Sequence, residues 1–240
     1  MTSIPAAKAH PLVVADILAS PGPVVLLDTC SLLDVVRQPT RTNIPSGTIT
    51  AALTIAQRTR TNPRGAWIIA SDLILEEWAT RAQNISKDVE VQISKIERDV
   101  DQVLAAARLL PTVTQPPRLS LTGLRLHDEL HDIAAQVLAC AEILKGEPNE
   151  ILNAHRRLVN GLAPAKKGKQ EYKDCVIIEQ YLSFCRDLRA GGLTTHCIFV
   201  TSNINDYGTP QGLLPPRDME FAAVGLEFAL NFDAALSPIK

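Results

Sequence analysis

Acidic residues stand at four places where they could serve chemistry on a phosphate. Asp28 ends the apolar run Val24-Val25-Leu26-Leu27, and Glu76 and Glu77 fall on the first turns of a helix expected after Trp67 to Ala70. Asp174 opens the stretch Asp174-Cys175-Val176-Ile177-Ile178, and Asp206 lies just past His196-Cys197-Ile198-Phe199-Val200. In open α/β sheets, ligands bind in the crevice beyond the carboxyl ends of the strands. Carboxylates from segments 49, 97 and 32 positions apart could converge on one such rim. Their mutual repulsion would then demand a divalent cation. Oxygen donors of this kind suit Mg²⁺ or Mn²⁺, which clamp phosphate oxygens and activate water for in-line attack. Metal-dependent phosphodiester hydrolysis is the chemistry that would follow. Taken singly, each acid is more often a helix cap that complements the macrodipole than a ligand.

The elements that must position these acids are readable from apolar patterning. Pro23 to Leu27 reads as a buried parallel strand, followed by a turn and a helix behind a Ser31 cap. Gln38 to Ser46 is expected as a loop, Thr48 to Arg60 as a helix, Asn62 to Gly65 as a turn and Ala66 to Ala70 as a second strand. Ser71 is placed to cap a helix over Asp72 to Gln83. Ile85, Val89, Ile93, Ile96, Val100, Val103 and Ala107 follow a three-to-four rhythm, predicting a long amphipathic helix that Pro111 stops. Further helices are expected at about Leu124 to Lys145, at Ile151 to Val159 and at Tyr172 to Arg189, with a basic loop over Ala163 to Lys169. A third strand covers His196 to Val200, and Phe221 to Leu226 fits a strand or a helix. Strands alternating with helices imply one α/β domain over residues 1–240, with a mainly parallel sheet covered on both faces. A helical insertion is expected at about residues 83–160.

Composition narrows the classes without choosing among them. The 240 residues are 46% hydrophobic and only 4% aromatic, which argues against an all-β sandwich. No apolar run approaches the roughly 20 residues of a membrane-spanning helix, and Asp16 interrupts the early run Pro11 to Ala15 before a signal core forms. Five cysteines at wide spacings, without a C-x-x-C pair, suggest reduced thiols and a cytosolic protein. With 24 basic and 26 acidic residues the net charge is −2, so attraction to nucleic acid would need local basic clusters.

As a set, Leu26-Leu27-Asp28-Thr29-Cys30-Ser31-Leu32-Leu33, Ser71-Asp72-Leu73-Ile74-Leu75-Glu76-Glu77-Trp78, Asp174-Cys175-Val176-Ile177 and Phe199-Val200-Thr201-Ser202-Asn203-Ile204-Asn205-Asp206-Tyr207 occur in this order. The set resembles the PIN-domain nucleases, mainly over residues 24–82 and 164–210. The resemblance implies a three-layer α/β/α sandwich and a Mg²⁺- or Mn²⁺-dependent endoribonuclease, of toxin type with an antitoxin partner or engaged in RNA processing. By motif position Asp28 would be the first metal ligand, with Thr29 hydrogen-bonding in the same turn. The family's helix acid falls six residues after Ser71 and selects Glu77 over Glu76, two positions that differ by about 100° around a helix. Asp174 would be the third ligand, and Thr201, Asn203 and Asp206 would complete the site. Asn203 stands where some members carry an acid, which leaves the number of metals open. Mechanistically, the cation held by Asp28, Asp174 and Asp206 would lower the pKa of a water and polarise the phosphate, and Glu77 would position a second metal or the water.

Other signals compete. Lys166, Lys167 and Lys169 form the densest basic cluster, able to hold an RNA backbone or to be a solvated loop. The phosphate-loop and G-x-G-x-x-G motifs are absent. His127 and His131 have a zinc-binding spacing, but a mixed-charge helical face accounts for them better. Cys30 has no histidine nearby in sequence and reads as a small core residue. The long central helices leave open a dimer interface or an RNA-guiding cap. Two other functions remain: a catalytically silent PIN-like RNA-binding module, and an aspartate-based phosphotransferase, which lacks its usual second acid because Cys30 occupies that place.

Overall fold

Val24-Val25-Leu26-Leu27 shows no polar alternation because both faces of this strand are covered, as parallel sheets require. The computed structural model describes residues 5–110, 120–165, 171–209, 212–213 and 215–239. It contains β1 (Val24–Leu27), β2 (Trp67–Ser71), β3 (Glu142–Leu144), β4 (Cys197–Val200) and β7 (Leu226–Ala229), all parallel, in the order β3-β2-β1-β4-β7. The short strands β5 (Gly208–Thr209) and β6 (Gly212–Leu213) pair antiparallel apart from that sheet.

Helices α2 (Thr29–Arg37), α3 (Thr48–Arg58), α4 (Asp72–Ala107), α5 (Leu126–Ala139) and α10 (Phe232–Leu236) pack together on one side. Helices α1 (His10–Ala19), α6 (Pro148–Val159), α7 (Tyr172–Ala190) and α9 (Arg217–Val224) form the other layer, and the one-turn α8 (Ile204–Tyr207) follows β4. The chain runs from β1 outward to β3, then returns past β1 to β4. With right-handed crossovers that reversal moves the helices to the opposite face and opens a crevice between β1 and β4. The result is the α/β/α sandwich.

Several local expectations change. Asp28, not Ser31, occupies the N-cap position of α2, and the Ser31 hydroxyl donates to the Asp28 carbonyl instead. The expected helices starting at 72 and 85 merge into one 36-residue helix that ends at Ala107, because no glycine or proline interrupts it. Ser71 does cap it: its hydroxyl accepts from Leu73 N–H. Only the first part of the apolar rhythm on α4 is core. Val89 and Ile93 are buried, whereas Ile96, Val100 and Val103 are exposed. The expected helix over 124–145 stops at Ala139, and Glu142–Leu144 becomes the edge strand β3, so residues 83–160 are not helical throughout. The segment 221–226 divides between the end of α9 and the start of β7. The early run Pro11 to Ala15 lies in α1.

Candidate functional site

Asp28 leaves β1 in extended conformation and its side chain makes no cap to α2. The carboxylate turns instead to the neighbouring strand end, where Oδ2 accepts from Thr201 Oγ1 at 2.5 Å. Thr201 Oγ1 also accepts from Asn203 N–H at 3.0 Å, so one hydroxyl shapes the turn after β4 and orients the acid after β1. Both residues are buried.

Glu77 comes from the second turn of α4. Its Oε2 accepts from Thr29 Oγ1 at 2.6 Å, and its Oε1 pairs with Arg81 Nη1 at 2.8 Å. The Glu77 side chain is 16% exposed; that of Glu76 is 66% exposed and pairs with Lys173 Nζ at 3.2 Å. The helix therefore sends its adjacent acids to different places, as a 100° step dictates.

Asp174 sits on the first turn of α7. With Asp28, Cys30, Glu77 and Asn203 it lines a cleft of about 390 Å³, whose remaining walls are Arg81, Glu171, Tyr172 and Lys173. Burial pushes the Asp28 carboxyl up to about 6, Thr201 opposes the rise, and the charge of Glu77 adds to it. Burial likewise pushes Asp174 up to about 7, reinforced by the charges of Asp28, Glu77, Asp206 and Glu171. These carboxyls thus sense one another across elements remote in sequence. Burial and the same surrounding acids push the Cys30 thiol far up, so it stays protonated.

Asp206 is buried in α8 and is not among the residues lining the cleft, although its charge still raises Asp174. The guanidinium of Arg217 donates to its backbone carbonyl. Thr29 and Thr201 likewise do not line the cleft but are hydrogen-bond partners of Glu77 and Asp28, which do. Lys166, Lys167 and Lys169 lie outside the described residues. Among the residues described, the His127/His131 pair forms no metal site: His131 stacks on Trp78 and His127 faces Glu90 and Asp128.

Sequence reasoning missed Arg81, Glu171, Tyr172 and Lys173. Arg81 carried a signal, because it follows Glu77 by four positions on a predicted helix. The other three flank the start of α7 and gain their place only when that helix docks over the crevice.

Among the described residues, no three His, Cys, Asp or Glu side chains stand as a ready-made metal cluster. The chemistry of the donor set nevertheless fits a hard divalent cation. Carboxylate residues and one amide line a common space, and the burial, reinforced by mutual repulsion, that raises Asp28 and Asp174 is what a bound positive charge offsets.

A family model described as PIN domain matches residues 25–207, the stretch from β1 to the end of α8. No curated protein and no solved structure matches the chain.

Proposed function

The chain belongs to the PIN-domain family, and on that premise we propose that it is a Mg²⁺- or Mn²⁺-dependent endoribonuclease. The observation that carries this reading is that Asp28, Glu77 and Asp174, from three separate elements, line one cleft at the sheet's switch point. A divalent cation bound there supplies a Lewis acid for the phosphate and a lowered pKa for water at neutral pH.

Asp28, Glu77 and Asp174 would hold the cation, and Asp206 would add negative charge nearby. Thr201 and Thr29 keep Asp28 and Glu77 aimed through their hydroxyls. Asn203 offers a neutral amide at the cleft wall, suited to a water or a phosphate oxygen. The exposed Tyr172 ring and the Lys173 ammonium lie at the same cleft, where a base can stack and a phosphate can be met. No covalent enzyme intermediate is required, and the protonated Cys30 thiol is a poor nucleophile.

A role as a toxin held by an antitoxin and a role in RNA processing rest on the family alone. Cytosolic residence is supported by the five free cysteines. Among the described residues no helix is long and apolar enough to cross a membrane.

The test is cleavage of end-labelled RNA and single-stranded DNA in Mg²⁺ or Mn²⁺, with EDTA, Asp28→Asn and Asp174→Asn as controls. Metal-dependent cleavage of RNA, lost with EDTA and in both variants, is expected. A silent RNA-binding module is the second reading, favoured by the looseness of the carboxylate set and by Asn203. Undiminished RNA binding without turnover in any metal would select it.

A further inference from the structure

Both oxygens of Glu77 are engaged, but by partners of different character. Thr29 is buried at the start of α2, where its hydroxyl donates to Oε2 out of reach of solvent. Arg81 lies one turn further along α4, its side chain is 60% exposed, and its guanidinium pairs with Oε1 while lining the cleft shared by Asp28 and Asp174. The Arg81 end of this pair stands in solvent while the Glu77 end is largely covered, so water already competes for the guanidinium and Arg81 can exchange one anionic partner for another. A cation entering the cleft and the Arg81 guanidinium therefore compete for the same oxygen.

Once displaced, Arg81 does not lose its charge. Its planar fork of donors matches phosphate oxygens in a bidentate manner, and it already stands at the cleft where a phosphate would lie. We propose that Arg81 is a substrate-positioning phosphate ligand held in reserve on Glu77, released by the divalent cation to grip the nucleic-acid backbone. The inference rests on the nuclease reading above.

The consequence is linkage. The cation frees the phosphate ligand, and the phosphate withdraws the cation's competitor, so each strengthens the binding of the other. Lys173 provides the contrast. It also lines the cleft, but its partner Glu76 does not, so moving Lys173 opens no cation ligand.

The experiment titrates Mn²⁺ into the full chain, reading free Mn²⁺ by its paramagnetic resonance signal. It is done with and without a 2′-O-methyl phosphorothioate RNA oligomer that resists hydrolysis. Wild type, Arg81→Ala and Lys173→Ala are compared, with melting temperatures confirming that all are folded. Arg81→Ala is expected to bind Mn²⁺ more tightly than wild type when alone. With the oligomer present this advantage should vanish or reverse, as the coupling between the two ligands falls by about tenfold, inside the usual span of such couplings. Lys173→Ala should weaken oligomer binding while keeping the coupling.

If Arg81→Ala tightens Mn²⁺ equally with and without the oligomer, Arg81 is only a counter-ion and the inference is overturned while the nuclease reading stands. If wild type binds neither Mn²⁺ nor the oligomer, both fail together.

Discussion

The Tyr181 hydroxyl donates to the Leu27 carbonyl at 2.6 Å, tying the middle of α7 to the last residue of β1. It also accepts from Ser71 N–H at 3.2 Å, so the ends of β1 and β2 hang on one phenol. Asp174 precedes Tyr181 by seven positions, two turns along nearly the same helical face. The acid that reaches the cleft from furthest away in sequence is thus aimed by a hydrogen bond two turns distant.

Tyr181→Phe should cost about 1–3 kcal/mol, because it strips a partner from two buried backbone groups. At this chain length the melting temperature should fall by roughly 2–4 °C per kcal/mol. Calorimetry checks the stability, and Mn²⁺ titration checks that cation affinity falls with it. An unchanged affinity would show that α7 is aimed by packing alone.

Asp28 and Asp174 rise from 3.8 to about 6 and about 7, so the folded chain binds protons that the unfolded chain has released. Stability from these groups is therefore greatest at low pH and is lost as pH climbs through 6 and 7. In EDTA the melting temperature should decline between pH 5 and pH 8. Mg²⁺ or Mn²⁺ at about 100 times its dissociation constant should restore roughly 5–10 °C at pH 8, and far less at pH 5. A melting temperature indifferent to both pH and cation would dissolve the shared site.

Asp174→Asn removes one charge from that repelling set. We expect the variant to melt higher than wild type by about 1–2 kcal/mol of stability at pH 8 in EDTA, and yet to lose RNA cleavage. Parallel melting and cleavage assays test the pairing of a gain with a loss. A destabilised variant would mean that the Asp174 carboxylate serves the fold more than the site.

Thr201→Val deletes the hydroxyl that opposes the upward push on Asp28. The carboxyl should then titrate higher still, and cation affinity at neutral pH should drop about 10- to 100-fold, as when an outer partner of a metal ligand is removed. Repeating the titration at pH 9 should recover part of the loss. A loss independent of pH would point to altered backbone geometry instead.

Glu77→Gln and Glu76→Gln separate the adjacent acids of α4. The first should depress cleavage by at least about 100-fold, since it removes a charged cation ligand. The second should change it little, because Glu76 faces Lys173 outside the cleft. Single-turnover rates measure both, and equal effects would contradict the division made by the helix.

Much of the frame was legible in the chain itself. The strands over 24–27, 67–71 and 197–200 announce themselves because a strand buried on both faces must be continuously apolar. Ser71 at the head of α4 and the acid following each strand are equally local signals. β3 left no such trace: three residues are too few for a period, and Glu142–Leu144 becomes a strand only by pairing with β2.

What the sequence determined alone is therefore a parallel α/β frame with Asp28, a Glu76–Glu77 pair, Asp174 and Asp206 at its strand and helix ends, because those signals depend on near neighbours. Tertiary structure decided which of them meet. Docking of α4 and α7 over the β1/β4 crevice places Glu77 and Asp174 beside Asp28, leaves Glu76 and Asp206 out of the cleft lining, and brings in Arg81, Glu171 and Lys173. Convergence of this kind is a property of packing across 146 positions between Asp28 and Asp174, and no local pattern encodes the distance at which two helices come to rest on a sheet.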